Sequence, residues 1–128
     1  MNGNKFLLDT HIILLLLNGD EVLSQLCDDS ELCMSVVSEM ELREYIATHT
    51  HDHAVIHHLL KELSVLGLTD ELTKITTAIQ AKYKMLLPDS LLAATAIAYN
   101  CPLVTSDEQF SKITELTLIY YDITSQES

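Results

Sequence analysis

The sequence predicts an α/β fold in three layers, with a central parallel sheet of four to five short strands and helices on both faces. Three observations lead there. Short apolar runs of strand length alternate along the chain with longer stretches of helical period, the pattern of a parallel sheet whose crossovers are helices. The strand-length runs are mostly apolar, as strands covered on both faces are. The 128 residues include only three glycines and two prolines, with no Ser/Gly-rich linker, repeat or low-complexity tract. One domain over residues 1–128 therefore accounts for the chain.

The elements follow in order. Phe6-Leu7-Leu8 reads as a strand stopped at Asp9, and Thr10 to Leu17 as a buried helix closed by Asn18-Gly19. Asp20 caps a helix from Glu21 to about Asp28, with Val22, Leu23 and Leu26 on one face. Glu31 to Ser35 is a second strand, and Val36 to about Thr48 is helical. His53 to Ser64 places Val55, Ile56, Leu59, Leu60 and Leu63 at helical spacing, after which Val65 to Leu68 reads as a strand. Asp70 to Tyr83 repeats the helical pattern with Leu72, Ile75, Ala78 and Ile79. Pro88 stands where helices like to begin, ahead of an Ala- and Leu-rich helix from Asp89 to Tyr99. Pro102 to Thr105 is a strand, Asp107 to Ile113 a short helix and Leu116 to Tyr121 a last strand.

Composition narrows the function classes. A hydrophobic fraction of 48% is that of an ordinary globular interior. The longest apolar run, Ile12 to Leu17, is far short of the ~20 residues that cross a bilayer. Asp9 interrupts anything like a secretory apolar segment, so the expectation is a soluble, cytoplasmic protein with no membrane partner. Cys27, Cys33 and Cys101 form neither a CxxC pair nor an even set, which argues against a disulfide framework and a thiolate zinc site. Without Gly-rich loops there is neither a Walker A loop nor a dinucleotide fingerprint.

The charge is more telling. A formal net charge of −12 with only seven Lys and Arg cannot supply the basic face that nucleic-acid binding by charge requires. A protein of this kind that handles a polyanion needs help from a metal ion, a second subunit or a partner chain. An acidic surface also has a plain use, which is to keep a protein soluble.

Ligands of parallel sheets bind outside the strands' carboxyl ends, and four acids lie at such places. Asp9 closes the first strand, and Asp107 follows the strand "CPLVT" by two residues. Asp89 enters the first turn of the Ala-rich helix, and Glu41 lies on the helix after the second strand. Carboxylates crowded into a partly dry cleft repel one another and take up protons unless a cation neutralises them. Oxygen-only sites of this kind select Mg2+ or Mn2+. Each acid also has an ordinary explanation. Asp9 and Asp107 could cap the helices they precede, Asp89 could sit in the helix dipole, and Glu41 could belong to a solvated face with Glu39, Arg43 and Glu44.

The segments "FLLDTHIILLLLNGD", "MSVVSEMELRE", "LLPDSLLAATA" and "PLVTSDEQF" stand in the order and at roughly the spacing of a PIN domain. From Phe6 to about Tyr120 the chain resembles the VapC toxins of bacterial type II toxin–antitoxin pairs. The resemblance implies an acidic site of Asp9, Glu41, Asp89 and Asp107 that holds Mg2+ or Mn2+, with Thr105 as a polar neighbour in the T-x-D segment. It also implies an endoribonuclease that hydrolyses RNA phosphodiester bonds with metal-activated water, a cognate antitoxin as partner, and a homodimer. One residue departs from the family pattern: Asn typically follows "DT", and here His11 stands there, able to carry charge or ligate metal. The rival function is a PIN-fold binding module that has lost turnover and works through protein partners.

Other motifs point less far. In "THTHDHAVIHH", His49, His51, Asp52 and His53 are one residue too compact for the HxHxDH signature of metallo-β-lactamase-like zinc hydrolases. His53 and His57 are spaced i, i+4 and could take an incidental Zn2+ or Ni2+. His11 fills the place of the second Asp in DxD phosphotransferases, and Ser35, Ser38 and Ser90 lack a patterned histidine for serine hydrolysis. Tyr45, Tyr83 and Tyr99 are candidates for base stacking or for ordinary burial. Ile12 to Leu17 is core, with part of it a candidate dimer surface.

Overall fold

A computed structural model of the chain describes residues 4–48 and 53–123. Five parallel strands, β1 (Lys5–Leu8), β2 (Glu31–Ser35), β3 (Ser64–Leu66), β4 (Leu103–Thr105) and β5 (Leu118–Tyr120), form one sheet in the order β3-β2-β1-β4-β5. Helices α1 (Thr10–Leu17), α2 (Glu21–Cys27), α3 (Val36–Thr48), α4 (His53–Glu62), α5 (Asp70–Tyr83) and α6 (Leu87–Ala98) connect them, with a 3-10 helix at Glu108–Lys112.

Strand pleating sends neighbouring residues to opposite faces, and the core divides accordingly. Leu7, Cys33 and Leu103 lie side by side in the register and pack with Ile79 of α5, Leu92, Ala93 and Ala96 of α6, and Phe110. Phe6, Leu8, Met34 and Val104 face the other way, against Ile12 and Ile13 of α1, Leu23 of α2 and Leu42 of α3, with Leu59 and Leu60 of α4 alongside. The sheet is thus buried between two helical layers, which is why its strands carry no polar alternation.

Glycine and asparagine set two of the helix ends. Gly19 at φ +85 follows the C-cap of α1, and its N–H and that of Asp20 return to the carbonyls of Leu16 and Leu15. Asn100 at φ 54 does the same for α6, with the N–H of Cys101 on Ala96 and its own on Ile97. Both are Schellman closures, which need a left-handed residue.

Several element boundaries shift from the sequence expectation. The third strand starts at Ser64 and ends at Leu66, because it pairs only with Cys33, Met34 and Ser35 at the end of β2. The last strand shrinks to Leu118–Tyr120 because β4 offers just three residues, Leu103 to Thr105, to pair with. The expected short helix after Asp107 is 3-10, its first turn capped by the Asp107 carboxylate.

The strand order places the site. From β1 the chain builds outward to β2 and β3, then returns to the other side of β1 for β4 and β5. The order reverses between β1 and β4, and ligand crevices of open α/β sheets form at the carboxyl side of such a reversal. There the Asp9 N–H donates to the Val104 carbonyl at 3.1 Å, tying the two strand ends together.

Among the described residues no helix is long and apolar enough to cross a membrane. Cys27, Cys33 and Cys101 are free and buried, and burial pushes the Cys33 thiol up to about 11. His49, His51 and Asp52 lie outside the described residues, as does the side chain of His53. His58 pairs with Glu62 at 3.0 Å on an exposed stretch of α4. In α1, Ile12 and Ile13 are fully buried, and Leu14 to Leu17 are half-buried.

Candidate active site

Asp9 follows β1 and precedes α1, yet its side chain makes no cap bond to the helix. The carboxylate turns across the sheet instead, where the Thr105 hydroxyl donates to Oδ2 at 2.6 Å. Thr105 ends β4 and is fully buried. Its Oγ1 also accepts from the Asp107 N–H at 3.1 Å, so one hydroxyl links two of the expected acids. Burial raises the Asp9 carboxyl above its ordinary range, the Thr105 bond opposes this, and Asp107 and Glu41 push it further up. The capping explanation fails for Asp9 and holds for Asp107, whose Oδ1 accepts from the Gln109 N–H at 3.1 Å.

Glu41 comes from α3. The Thr10 hydroxyl donates to its Oε1 at 2.6 Å and lies 2.9 Å from Ser38 Oγ. Ser38 is buried one turn before Glu41, and its N–H is capped by Ser35 Oγ at 3.1 Å, where β2 ends and α3 begins. Glu41 is exposed, as the solvated-face explanation expects, but its carboxylate is turned to Thr10 while Glu39 pairs with Arg43 at 3.0 Å. Asp89 lies in the first turn of α6 behind Pro88. Its carboxyl is raised by burial, held down by a hydrogen bond from Gln109, and raised again by Asp107 and Glu41. That bond, from Gln109 Nε2 to Asp89 Oδ2, is 3.2 Å long, and the same nitrogen donates to Asp107 Oδ2 at 2.7 Å.

All four expected acids and Thr105 therefore meet around the switch point. Asp9 is shared by two adjoining clefts. A narrow one of about 80 Å³ is lined by Thr10, Ser38, Glu41 and Asp89 among others, and a wide one of about 650 Å³ by His11, Asp107, Glu108, Tyr120 and Asp122 among others. The wide cleft is strongly acidic: burial, Glu108, Asp122 and Asp107 together raise the Tyr120 phenol. His11 is exposed on its wall beside Asp9.

The donors are carboxylate and hydroxyl oxygens, a set that suits a hard divalent cation. Among the described residues, however, no three His, Cys, Asp or Glu side chains are arranged as they stand to hold one ion. The acids are linked through Thr105, Thr10 and Gln109 instead.

Thr10, Ser35, Ser38 and Gln109 were not among the expected site residues. For the serines a signal existed, the S-x-x-S of a strand-to-helix cap. Nothing in the sequence marks Gln109, whose partner Asp89 is 20 residues away. Of the tyrosines considered for base stacking, Tyr83 and Tyr99 are tied to the fold by their hydroxyls. The Tyr99 hydroxyl donates to the Gly67 carbonyl at 2.8 Å, and Tyr83 donates to Glu115.

The PIN domain family model matches residues 6–116. Among solved structures, the chain is similar to VapBC2 from Rickettsia felis, solved bound to a DNA fragment from its promoter, with TM-score 0.79 and 21% identity over 92% of this chain and 99% of that one. It is similar to a toxin–antitoxin complex from Klebsiella pneumoniae, with TM-score 0.76 and 22% identity over 88% and 94%. VapBC-1 from nontypeable Haemophilus influenzae gives TM-score 0.73 and 23% identity over 91% and 97%. No curated protein sequence matches.

Proposed function

The chain belongs to the PIN domain family, and from that premise we propose that it is a Mg2+- or Mn2+-dependent endoribonuclease, the toxin of a type II toxin–antitoxin pair acting in the cytoplasm. One observation carries the reading. Asp9 borders both a cleft lined by Glu41 and Asp89 and a cleft lined by Asp107, so four carboxyls from separate segments surround one crevice; burial raises Asp9 and Asp89, and Asp107 and Glu41 add to it. Such crowding fits a site meant for a divalent cation, held by Asp9, Glu41, Asp89 and Asp107. When bound, that cation supplies Lewis acidity toward the scissile phosphate and the reacting oxygens.

The chain's own residues do the rest. Thr105 holds Asp9 toward the crevice, Thr10 holds Glu41, and the wide cleft gives room for an RNA strand beside them. With a net charge of −12 the walls repel phosphates, so the strand is admitted where positive charge is supplied, at the acids or by a partner subunit. An antitoxin partner is supported by the relatives solved as toxin–antitoxin complexes. The half-buried Leu14 to Leu17 face suits contact with another protein, and a homodimer is the expected assembly.

The second reading, a binding module without turnover, is favoured by His11 beside Asp9 and by the absence of a closed three-ligand set among the described residues. Purified, partner-free protein incubated with a broad RNA pool separates the two. Cleavage with Mg2+ or Mn2+ that EDTA stops and Asp9→Asn abolishes supports the nuclease. Intact RNA with both ions, from protein that still binds its antitoxin, establishes the module.

A further inference from the structure

Gln109 is bonded to two of the four acids at once. Its Nε2 lies 2.7 Å from Asp107 Oδ2 and 3.2 Å from Asp89 Oδ2, and its backbone N–H lies 3.1 Å from Asp107 Oδ1. A carboxamide nitrogen has two hydrogens, one for each carboxylate. Both oxygens of Asp107 are thereby engaged by a single residue. Two carboxylates that repel each other are bridged by a dipole with no net charge, which satisfies their lone pairs and leaves their charge uncancelled.

We propose that the Gln109 side chain is a blocking residue: it occupies both Asp89 and Asp107, and it must swing away before these two carboxylates can take a divalent cation. This rests on the metal-dependent reading of the site. It accounts for acids that gather electrostatically while no three of them are arranged around one point among the described residues. Gln109 is half-buried on a short 3-10 helix, and its long side chain can leave without unfolding the backbone that Asp107 caps. Cation binding then costs two hydrogen bonds to charged acceptors, so Gln109 lowers the ion affinity of the site. A residue that merely organised the acids would raise it, and the sign of the effect separates the two roles.

Mn2+ titration of the full chain, followed by loss of the free-ion paramagnetic resonance signal, reads this directly. Gln109→Met keeps the length of the side chain without its donors and should bind Mn2+ roughly threefold to tenfold more tightly than wild type, the scale of a released charge-assisted bond. Gln109→Lys leaves a tethered cation between the same carboxylates and should weaken binding at least about tenfold. Circular dichroism confirms folding, and the direction of the change in Gln109→Met decides the sign. Unchanged or weaker binding by Gln109→Met, or unchanged binding by Gln109→Lys, overturns the proposal while the metal site stands, provided wild type binds Mn2+ and Asp9→Asn does not. Wild-type protein with no saturable Mn2+ binding overturns both.

Discussion

On the β2 side of Asp9, Glu41 is held by a single hydroxyl from the start of α1, whereas on the β4 side Asp89 and Asp107 share one carboxamide. The hydroxyl of Thr10 can rotate, donate or accept, and Glu41 stays exposed with one oxygen not committed to it. The β4 side is tied into the fold: Asp107 caps the 3-10 helix, and its N–H is anchored on buried Thr105. The acids on the two sides are thus adjustable to different degrees. Charge placement on the first side depends on a surface contact, and on the second it depends on the architecture.

Breaking the seam between the sides should have the largest effect. Thr105→Val removes both the donor to Asp9 and the acceptor for the Asp107 N–H without changing size. RNA cleavage should fall about 10–100-fold, as for loss of a residue orienting a metal ligand. Urea unfolding should show a loss of about 1 kcal/mol, because the hydrogen bonds that Thr105 makes to Asp9 and to the part-buried Asp107 N–H are both removed. Equal cleavage by the variant would show that Thr105 serves the fold alone.

A smaller change is expected from Thr10→Val, which frees Glu41. Cleavage should drop about threefold to tenfold, with unfolding stability altered by less than about 1 kcal/mol because the contact is exposed. A loss as large as that of Thr105→Val would erase the contrast between the two sides.

Acidity tests the shared electrostatics in the metal-free protein. Burial and neighbouring acids raise Asp9 and Asp89 above their ordinary 3.8. The folded state therefore holds these protons at pH values where the unfolded chain releases them. The stability they contribute is full below about 3.8 and is lost as pH rises through the raised folded values. Asp9→Asn should melt roughly 3 °C above wild type at pH 7–8, on the scale of 1 kcal/mol or less. That gap should close as the pH is lowered toward 4. A variant that melts below wild type at neutral pH would contradict the strained carboxylate.

The smallest effect belongs to Arg43→Ala, outside the site. Its ion pair with Glu39 is exposed, so stability should move by less than about 0.5 kcal/mol and cleavage not at all. Reduced cleavage would mean that the outer face of α3 also contacts RNA.

Much of this molecule is legible in its sequence. Apolar runs marked the strands, a 3.6 period marked α5, and Gly19 marked the end of α1, because burial and backbone strain are written locally. Positions just past strands suggested Asp9 and Asp107, but the same expectation failed for Glu41, which lies inside α3, and for Asp89, which follows helix α5 and not a strand. The partners of those acids were not legible: Thr105 reaches Asp9 across 96 residues and Gln109 reaches Asp89 across 20. Side-chain hydrogen bonds between distant segments leave no periodicity to detect.

Alone, the amino-acid order determined which segments would be buried on both sides and that Asp9 and Asp107 would fall just past strands, since hydrophobic spacing and turn chemistry act over a few neighbours. Only the assembled sheet decided that β4 lies next to β1, that Asp9 abandons helix capping for a threonine across the crevice, and that one glutamine would bridge two carboxylates. Those outcomes depend on strand order and on through-space charge, and neither exists until the chain has closed on itself.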